Sequence, residues 1–168
     1  EMAYYGAQVI HPKTIKPLYN AGIPLYVRCF LDREARGTLI HDTDAVLAYP
    51  PILVLKTKQV LLQVSTRDYS FMNEDHLSRV YQWFHECRLK INLMQHGAIS
   101  FVACVDSDPE RLEALLQKLE ADYKVRRNED LFLFTVRHYT QEIFDRELSR
   151  RNVLLEQRTR HTVQMVVQ

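Results

Sequence analysis

Few residues in this 168-residue chain are spaced for chemistry. His41, His76, His85, His96, His138 and His161 show neither the H-x-H nor the i, i+4 spacing that aims two imidazoles at one metal. No metal ligand is assigned. Cys29, Cys87 and Cys104 are far apart and odd in number, so they make neither a zinc pattern nor a disulfide framework. They read as buried, reduced thiols of a cytosolic protein. Only 4 glycines are present, with no cluster that could cradle a phosphate. No Ser-His-Asp or Cys-His set stands out, and no catalytic residue is assigned. The polar stretch around Asn73-Glu74-Asp75 reads first as a helix start, with an asparagine N-cap and two acids at the positive end of the helix dipole.

The elements that would position these groups fall into three regions. Over residues 1–50, Pro12, Pro17 and Pro24 punctuate a helical start, and Ile23 to Phe30 alternates as a strand does. Tyr49-Pro50-Pro51 reads as a linker, because proline holds its predecessor extended. The next region opens with two short strands, Ile52 to Lys58 and Val60 to Ser65. A loop from Thr66 to Met72 leads to a helix capped by Asn73, with Leu77, Val80, Tyr81 and Phe84 on its apolar stripe. Leu89 to Leu93 and Ile99 to Val105 form a hairpin around Gly97. Asp108 caps a second helix with Pro109 at its first position and Leu112, Leu115, Leu116 and Leu119 facing a core. Tyr123 to Arg127 closes a β-α-β-β-α-β unit of ferredoxin-like type.

The pattern then restarts. Leu131 to Arg137 is a strand, Thr140 caps a helix to about Arg151, and Val153 to Gln157 and Thr162 to Val167 are strands. This second unit lacks its last helix and strand, and the surplus segment Ile52 to Lys58 is the candidate to complete its sheet. The fold class is therefore α+β. The domains are 1–48, 59–128, and a discontinuous third made of 51–58 plus 129–168.

Composition excludes several classes. The chain is 46% apolar and 26% charged, as soluble globular domains are. No apolar run reaches the roughly 18 residues a membrane helix needs. No signal peptide is read at the N-terminus, and the start at Glu1 reads as the start of a piece of a longer protein. The formal net charge of +1 gives no basic field for nucleic acid. Arg146, Arg150, Arg151, Arg158 and Arg160 are interrupted by Asp145, Glu147 and Glu156 and read as a solvated face.

One ordered string is distinctive. Glu1, Ala3, Gly6, Ala7, Val9, Ile10, His11, Pro12, Thr14, Ile15 and Pro17 are followed by Gly22, Ile23, Pro24, Val27, Gly37, Thr38 and Ile40. This run resembles the segment that closes the kinase domain of aspartate kinases, E-x-A-x-x-G-A-K-V-(L/I)-H-P-x-T-(I/L)-x-P, then G-I-P, then G-T-x-I. The family carries two ACT domains after that segment, one inserted in the other, which matches the surplus strand and the truncated second unit. His11 is expected at a helix terminus or in packing. Gln8 stands where many members carry a lysine near the nucleotide.

The resemblance implies the rest of the functional expectation. The parent enzyme would transfer the γ-phosphoryl of ATP, with Mg²⁺, to the β-carboxylate of aspartate in the cytoplasm. The K-F-G-G-(T/S)-S motif of the family is absent, so this chain by itself is expected to lack kinase activity. Implied partners are the kinase domain in cis, an amino-acid effector such as lysine or threonine, and a second copy paired through the ACT sheets. The effector would lie between the first strand–helix loop, Asp68, Tyr69, Ser70, Met72, Asn73, Glu74, Asp75 and His76, and the facing strand, Asn92, Leu93, Met94 and Gln95. Asn92 replaces an acid common in lysine-sensing members, and Glu74 and Asp75 sit where a carboxylate would be repelled. A structural dimerisation module with a degenerate effector site is the alternative.

Overall fold

The computed structural model describes Tyr5 and residues 10–41, 50–147 and 151–168. Two compact units divide between Pro50 and Pro51. In the first, helix α1 (Pro12–Asn20) starts at His11, whose ring Nδ1 accepts the Lys13 N–H at 3.2 Å, with Pro12 at the first turn. His11 is thus an N-cap. Strands β1 (Leu25–Val27) and β2 (Thr38–Ile40) pair antiparallel, shorter than the alternation from Ile23 to Phe30 predicts. Gly37 is required here: its φ is +70°, and a Cβ would fall 2.5 Å from the Val27 carbonyl oxygen.

The second unit contains a six-stranded antiparallel sheet. Its elements are β3 (Ile52–Thr66), α2 (Glu74–Glu86), β4 (Ile91–His96), β5 (Ser100–Asp106), α3 (Pro109–Asp122), β6 (Tyr123–Arg137), α4 (Gln141–Glu147), β7 (Val153–Arg158) and β8 (Thr162–Val167). The sheet order is β4-β5-β3-β6-β8-β7. The α+β class and the antiparallel sheet are as expected. The strand count is not. Ile52–Lys58 and Val60–Ser65 are one continuous strand, and so are Tyr123–Arg127 and Leu131–Arg137.

The reason lies in paired irregularities. Between Lys56 and Gln59, β3 carries one extra residue against β6; between Gln59 and Leu61, β6 carries the extra one. Lys58 (φ 53°) and Asp130 (φ 55°) take the left-handed conformation at these bulges. Each bulge shifts the side-chain alternation by one, so each strand reads in sequence as two. The second half of β3 with the first half of β6, and the first half of β3 with the second half of β6, then belong to different parts of the sheet.

On one face, Val60, Leu62 and Val64 of β3 bury against Val80 and Phe84 of α2 and Leu112, Leu115, Leu116 and Leu119 of α3. Both helices begin as predicted: the Asn73 Oδ1 accepts the His76 N–H and the Asp108 Oδ1 accepts the Arg111 N–H, each at 3.2 Å. Phe134, Val136, Val163, Met165 and Val167 form a second cluster with Ile143 and Phe144 of α4. The described part of α4 runs from Gln141 to Glu147; the rest of the helix expected to about Arg151 lies in part outside the described residues. Between these layers, Leu61, Leu93 and Cys104 meet Leu131, Leu133, Leu155 and Val166. The sheet therefore curls until its two helix-free faces share a core. Arg151 and Arg158 are exposed, as expected of a solvated face, and lie over the rings of Phe134 (4.3 Å) and Phe144 (3.8 Å).

A polar network braces the bulges. The buried Gln59 amide donates to Asp106 Oδ1 (2.8 Å) and to the Thr57 carbonyl (3.0 Å), and its oxygen accepts from Asn92 Nδ2 (2.9 Å). Asn92 Nδ2 also donates to Asp106 Oδ1 (2.9 Å), and Lys56 Nζ donates to Asn92 Oδ1 (3.0 Å). Burial pushes the Asp106 carboxyl up, but hydrogen bonds from Gln59 and Asn92 and the Lys56 ammonium outweigh it and hold the group below its ordinary value of 3.8. Burial, helped by Asp106, pushes the Cys104 thiol up to about 12.

Two outcomes follow for stability. Leu115→Ala should cost about 3 kcal/mol in urea unfolding, because a fully buried side chain leaves a cavity. Leu53→Ala, on a half-exposed side chain, should stay within about 0.5 kcal/mol; equal losses would contradict this assignment of the core. The lowered Asp106 group stabilises the fold above its unfolded value and loses that contribution as pH falls through the lower folded value. The urea-midpoint difference between the wild type and Asp106→Asn should therefore be largest near neutrality and shrink below about pH 4. A difference that grows on acidification would refute the assigned network.

Candidate functional site

The loop after β3 is fixed by its own short polar side chains. Thr66 Oγ1 donates to the Ser70 carbonyl (2.7 Å), and Asp68 Oδ1 accepts both the Ser70 hydroxyl (2.7 Å) and the Ser70 N–H (3.1 Å). The Ser70 hydroxyl and then its N–H lower the Asp68 carboxyl below its ordinary value. Met72 is buried, and its N–H donates to the Ala98 carbonyl (2.8 Å). The Met72 carbonyl lies 2.8 Å from His96 Nε2, tying the loop to the β4–β5 turn.

A pocket of about 400 Å³ opens beside this loop, lined by Thr66, Arg67, Asp68, Ser70, His76, Arg79, Asp122 and Tyr123. His76 Nδ1 is 2.8 Å from the Tyr123 hydroxyl, which burial pushes up. Arg79 pairs with Asp122 at 3.2 Å, and Arg67 donates to the Glu120 carbonyl. The pocket thus presents two guanidinium groups, two carboxylates and neutral donors within one small concavity. Arg67, Arg79, Asp122 and Tyr123 were not predicted. Arg79 is one helical turn beyond His76 and could have been found from that spacing. Asp122, at the end of α3, and Tyr123, at the start of β6, carry no local signal.

The predicted residues divide into groups. Asp68, Ser70 and His76 converge on the pocket, while Met72 is core and Asn73 spends its side-chain oxygen on the helix cap. Glu74 and Asp75 are exposed on the first turn of α2. Tyr69 is exposed at φ 61° and lies outside the lining of this pocket. The facing strand does not assemble as expected. Asn92 belongs to the bulge network, about 17 Å along the sheet from Thr66 at some 3.3 Å per residue. Leu93 is a core residue. Met94 Sδ accepts from the Tyr81 hydroxyl at 2.7 Å, and Gln95 is exposed. Gln8 lies outside the described residues.

In the first unit an apolar pocket of about 600 Å³ is lined mainly by Ile15, Leu18, Tyr19, Ile23, Leu25 and Leu39. It gathers no comparable set of opposite charges. Among the described residues no group of three or more His, Cys, Asp and Glu side chains could hold a metal ion, and no helix is long and apolar enough to cross a membrane.

No family model matches the chain. Individual relatives do. Aspartokinase 1, chloroplastic, of Arabidopsis thaliana is 29% identical over 133 residues, 78% of this chain and 23% of the relative. Lysine-sensitive aspartokinase 3 of Escherichia coli is 27% identical over 143 residues, 79% of this chain and 31% of the relative. The chain thus spans about a quarter to a third of the length of these relatives. The crystal structure of E. coli aspartokinase III in complex with lysine and aspartate superposes with a TM-score of 0.74 at 25% identity, over 99% of this chain and 40% of that one. A putative C-terminal regulatory domain of aspartate kinase from Porphyromonas gingivalis W83 shares the fold (TM-score 0.58, 12% identity) over 71% of this chain and 86% of that one. By sequence and fold together, this chain is similar to part of the aspartokinases, and its fold is shared with the putative regulatory domain from Porphyromonas gingivalis.

Proposed function

We propose that this chain is the effector-binding control region of an aspartate kinase, the enzyme that phosphorylates the β-carboxylate of aspartate with ATP and Mg²⁺. On this reading a free amino acid occupies the pocket beside the β3–α2 loop. The observation that carries it is the pairing of opposite charges in one 400 Å³ concavity: Arg67 and Arg79 for an α-carboxylate, Asp68 and Asp122 for an α-ammonium. A free amino acid carries both charges on one carbon. Regulation then requires that the ligand bind one state of the kinase better than the other.

The ligand's identity is best tested among lysine, threonine and methionine. The Arabidopsis and E. coli relatives are aspartokinases, one of them named as lysine-sensitive. For this chain, however, Asn92 is already saturated by Lys56, Gln59 and Asp106 and is not offered to a ligand. That observation favours a second reading, a dimerisation module whose effector site has decayed, with the edge strand β4 as the pairing surface.

Calorimetry separates the two. Saturable heat with one of the three amino acids, weakened about tenfold or more in Arg79→Ala, is the expected result, corresponding to about 1.4 kcal/mol. No saturation at millimolar ligand, together with a dimer in sedimentation, would support the scaffold reading instead. A coupled assay of the chain alone should show no ATP- and aspartate-dependent turnover; turnover would sink the assignment of a control region without catalysis.

A further inference from the structure

The helix-free face of the first sheet half changes character along its length. Leu61 is in the shared core, but Gln63 and Ser65, next on the same face of β3, are exposed and half-exposed. Their partners on β6 are Arg126 and Lys124. Arg67 follows at the end of β3, and together with Thr66, Tyr69 and Ile99 these residues line a depression of about 290 Å³.

Its chemistry is one-sided. Three cations line it and no acid does. Elsewhere in the same half, Arg79, Arg111, Lys118 and Arg127 each sit on a carboxylate. Lys124 and Arg126 are two apart on one strand, so their side chains project on the same side and repel. Ser65 and Gln63 add neutral donors. At the rim, Tyr69 is 81% exposed and held at φ 61°, a left-handed conformation that is strained for a non-glycine residue. The Thr66–Ser70 and Asp68–Ser70 hydrogen bonds fix the loop that presents it. Ile99 supplies an apolar wall.

We propose that this depression is a second ligand site, for the phosphate ester of a small organic molecule. A multiply charged oxyanion relieves the repulsion between Lys124 and Arg126 and matches the planar fork of arginine. The organic part rests on the Tyr69 ring and Ile99. The size suits a small molecule, and the net charge of +1 provides no wider field for a nucleic acid. The site shares Thr66 and Arg67 with the amino-acid pocket above, but Lys124, Arg126, Tyr69 and Ile99 line this depression alone, so variants at those positions test it separately from that reading.

Calorimetric titration of the whole chain with phenyl phosphate, inorganic phosphate and benzoate tests this. Phenyl phosphate should saturate with a Kd below about 1 mM and bind more tightly than either of the others. Lys124→Ala combined with Arg126→Ala should weaken it about tenfold or more, and Tyr69→Ala should abolish its advantage over inorganic phosphate. Arg127→Ala, on the opposite face, should change nothing. Circular dichroism and urea midpoints confirm that each variant is folded. No saturation by about 10 mM, equal affinity for benzoate, or an Arg127→Ala effect as large as that of the double variant overturns the proposal.

Discussion

The architecture of residues 51–168 depends on one antiparallel pair. Strands β3 and β6 are 15 residues each and run alongside one another almost from end to end. A flat pair of that length would present a single face to every helix. The two compensating bulges, one on each strand, break that continuity while restoring the register beyond them. The pair can thus supply core residues to α2 and α3 at one end, while β6 alone carries residues on to α4 at the other. The curl they permit is what brings Leu61, Leu93 and Cys104 onto Leu133, Leu155 and Val166.

Such a crossing is costly and must be compensated locally. Lys58 and Asp130 take left-handed backbone without being glycine. Extra residues at a bulge also leave backbone and side-chain groups short of ladder partners. Gln59, almost completely buried, answers this by using its amide nitrogen and oxygen together, and the Ser107 N–H closes on the Lys58 carbonyl at 2.9 Å. Among the described residues no buried side-chain nitrogen or oxygen lacks a partner. The network is therefore a brace for the crossing, which explains why Asn92 and Asp106 hold polar side chains beside a hydrophobic cluster.

What could be read from sequence was local. Asn73 and Asp108 announce their helices because a cap needs only the next three residues. The leucines of α3 repeat at helical spacing and are all buried. The strands were split wrongly because Lys56-Thr57-Lys58 and Asn128-Glu129-Asp130 look like turns; pairing across the molecule overrides that local preference. Asn92 was visible as a polar residue on a strand, but its partners lie 36, 33 and 14 residues away, at Lys56, Gln59 and Asp106. No spacing rule connects them. The loop part of the pocket, Asp68, Ser70 and His76, was legible, whereas Asp122 and Tyr123 join it through tertiary packing alone.

One polar centre of this half stands at the Thr66 end of β3 and the other at its central bulges, and that separation constrains any account of control. On the proposed reading a ligand at Arg67, Asp68 and Arg79 would touch the Thr66 end of the strand, while the second half of the sheet begins beyond Lys58. The stretch from Gln59 to Thr66 is clamped between β5 and β6 and buried along its whole helix-facing side, so it transmits displacement rather than absorbing it. The bulges are the place where a small shift can be taken up differently, because their register is held by side-chain hydrogen bonds instead of an unbroken ladder. Differential affinity for two states of the protein would then be expressed as two arrangements of the Lys56–Gln59–Asn92–Asp106 network, with β3 as the rigid element between ligand and brace.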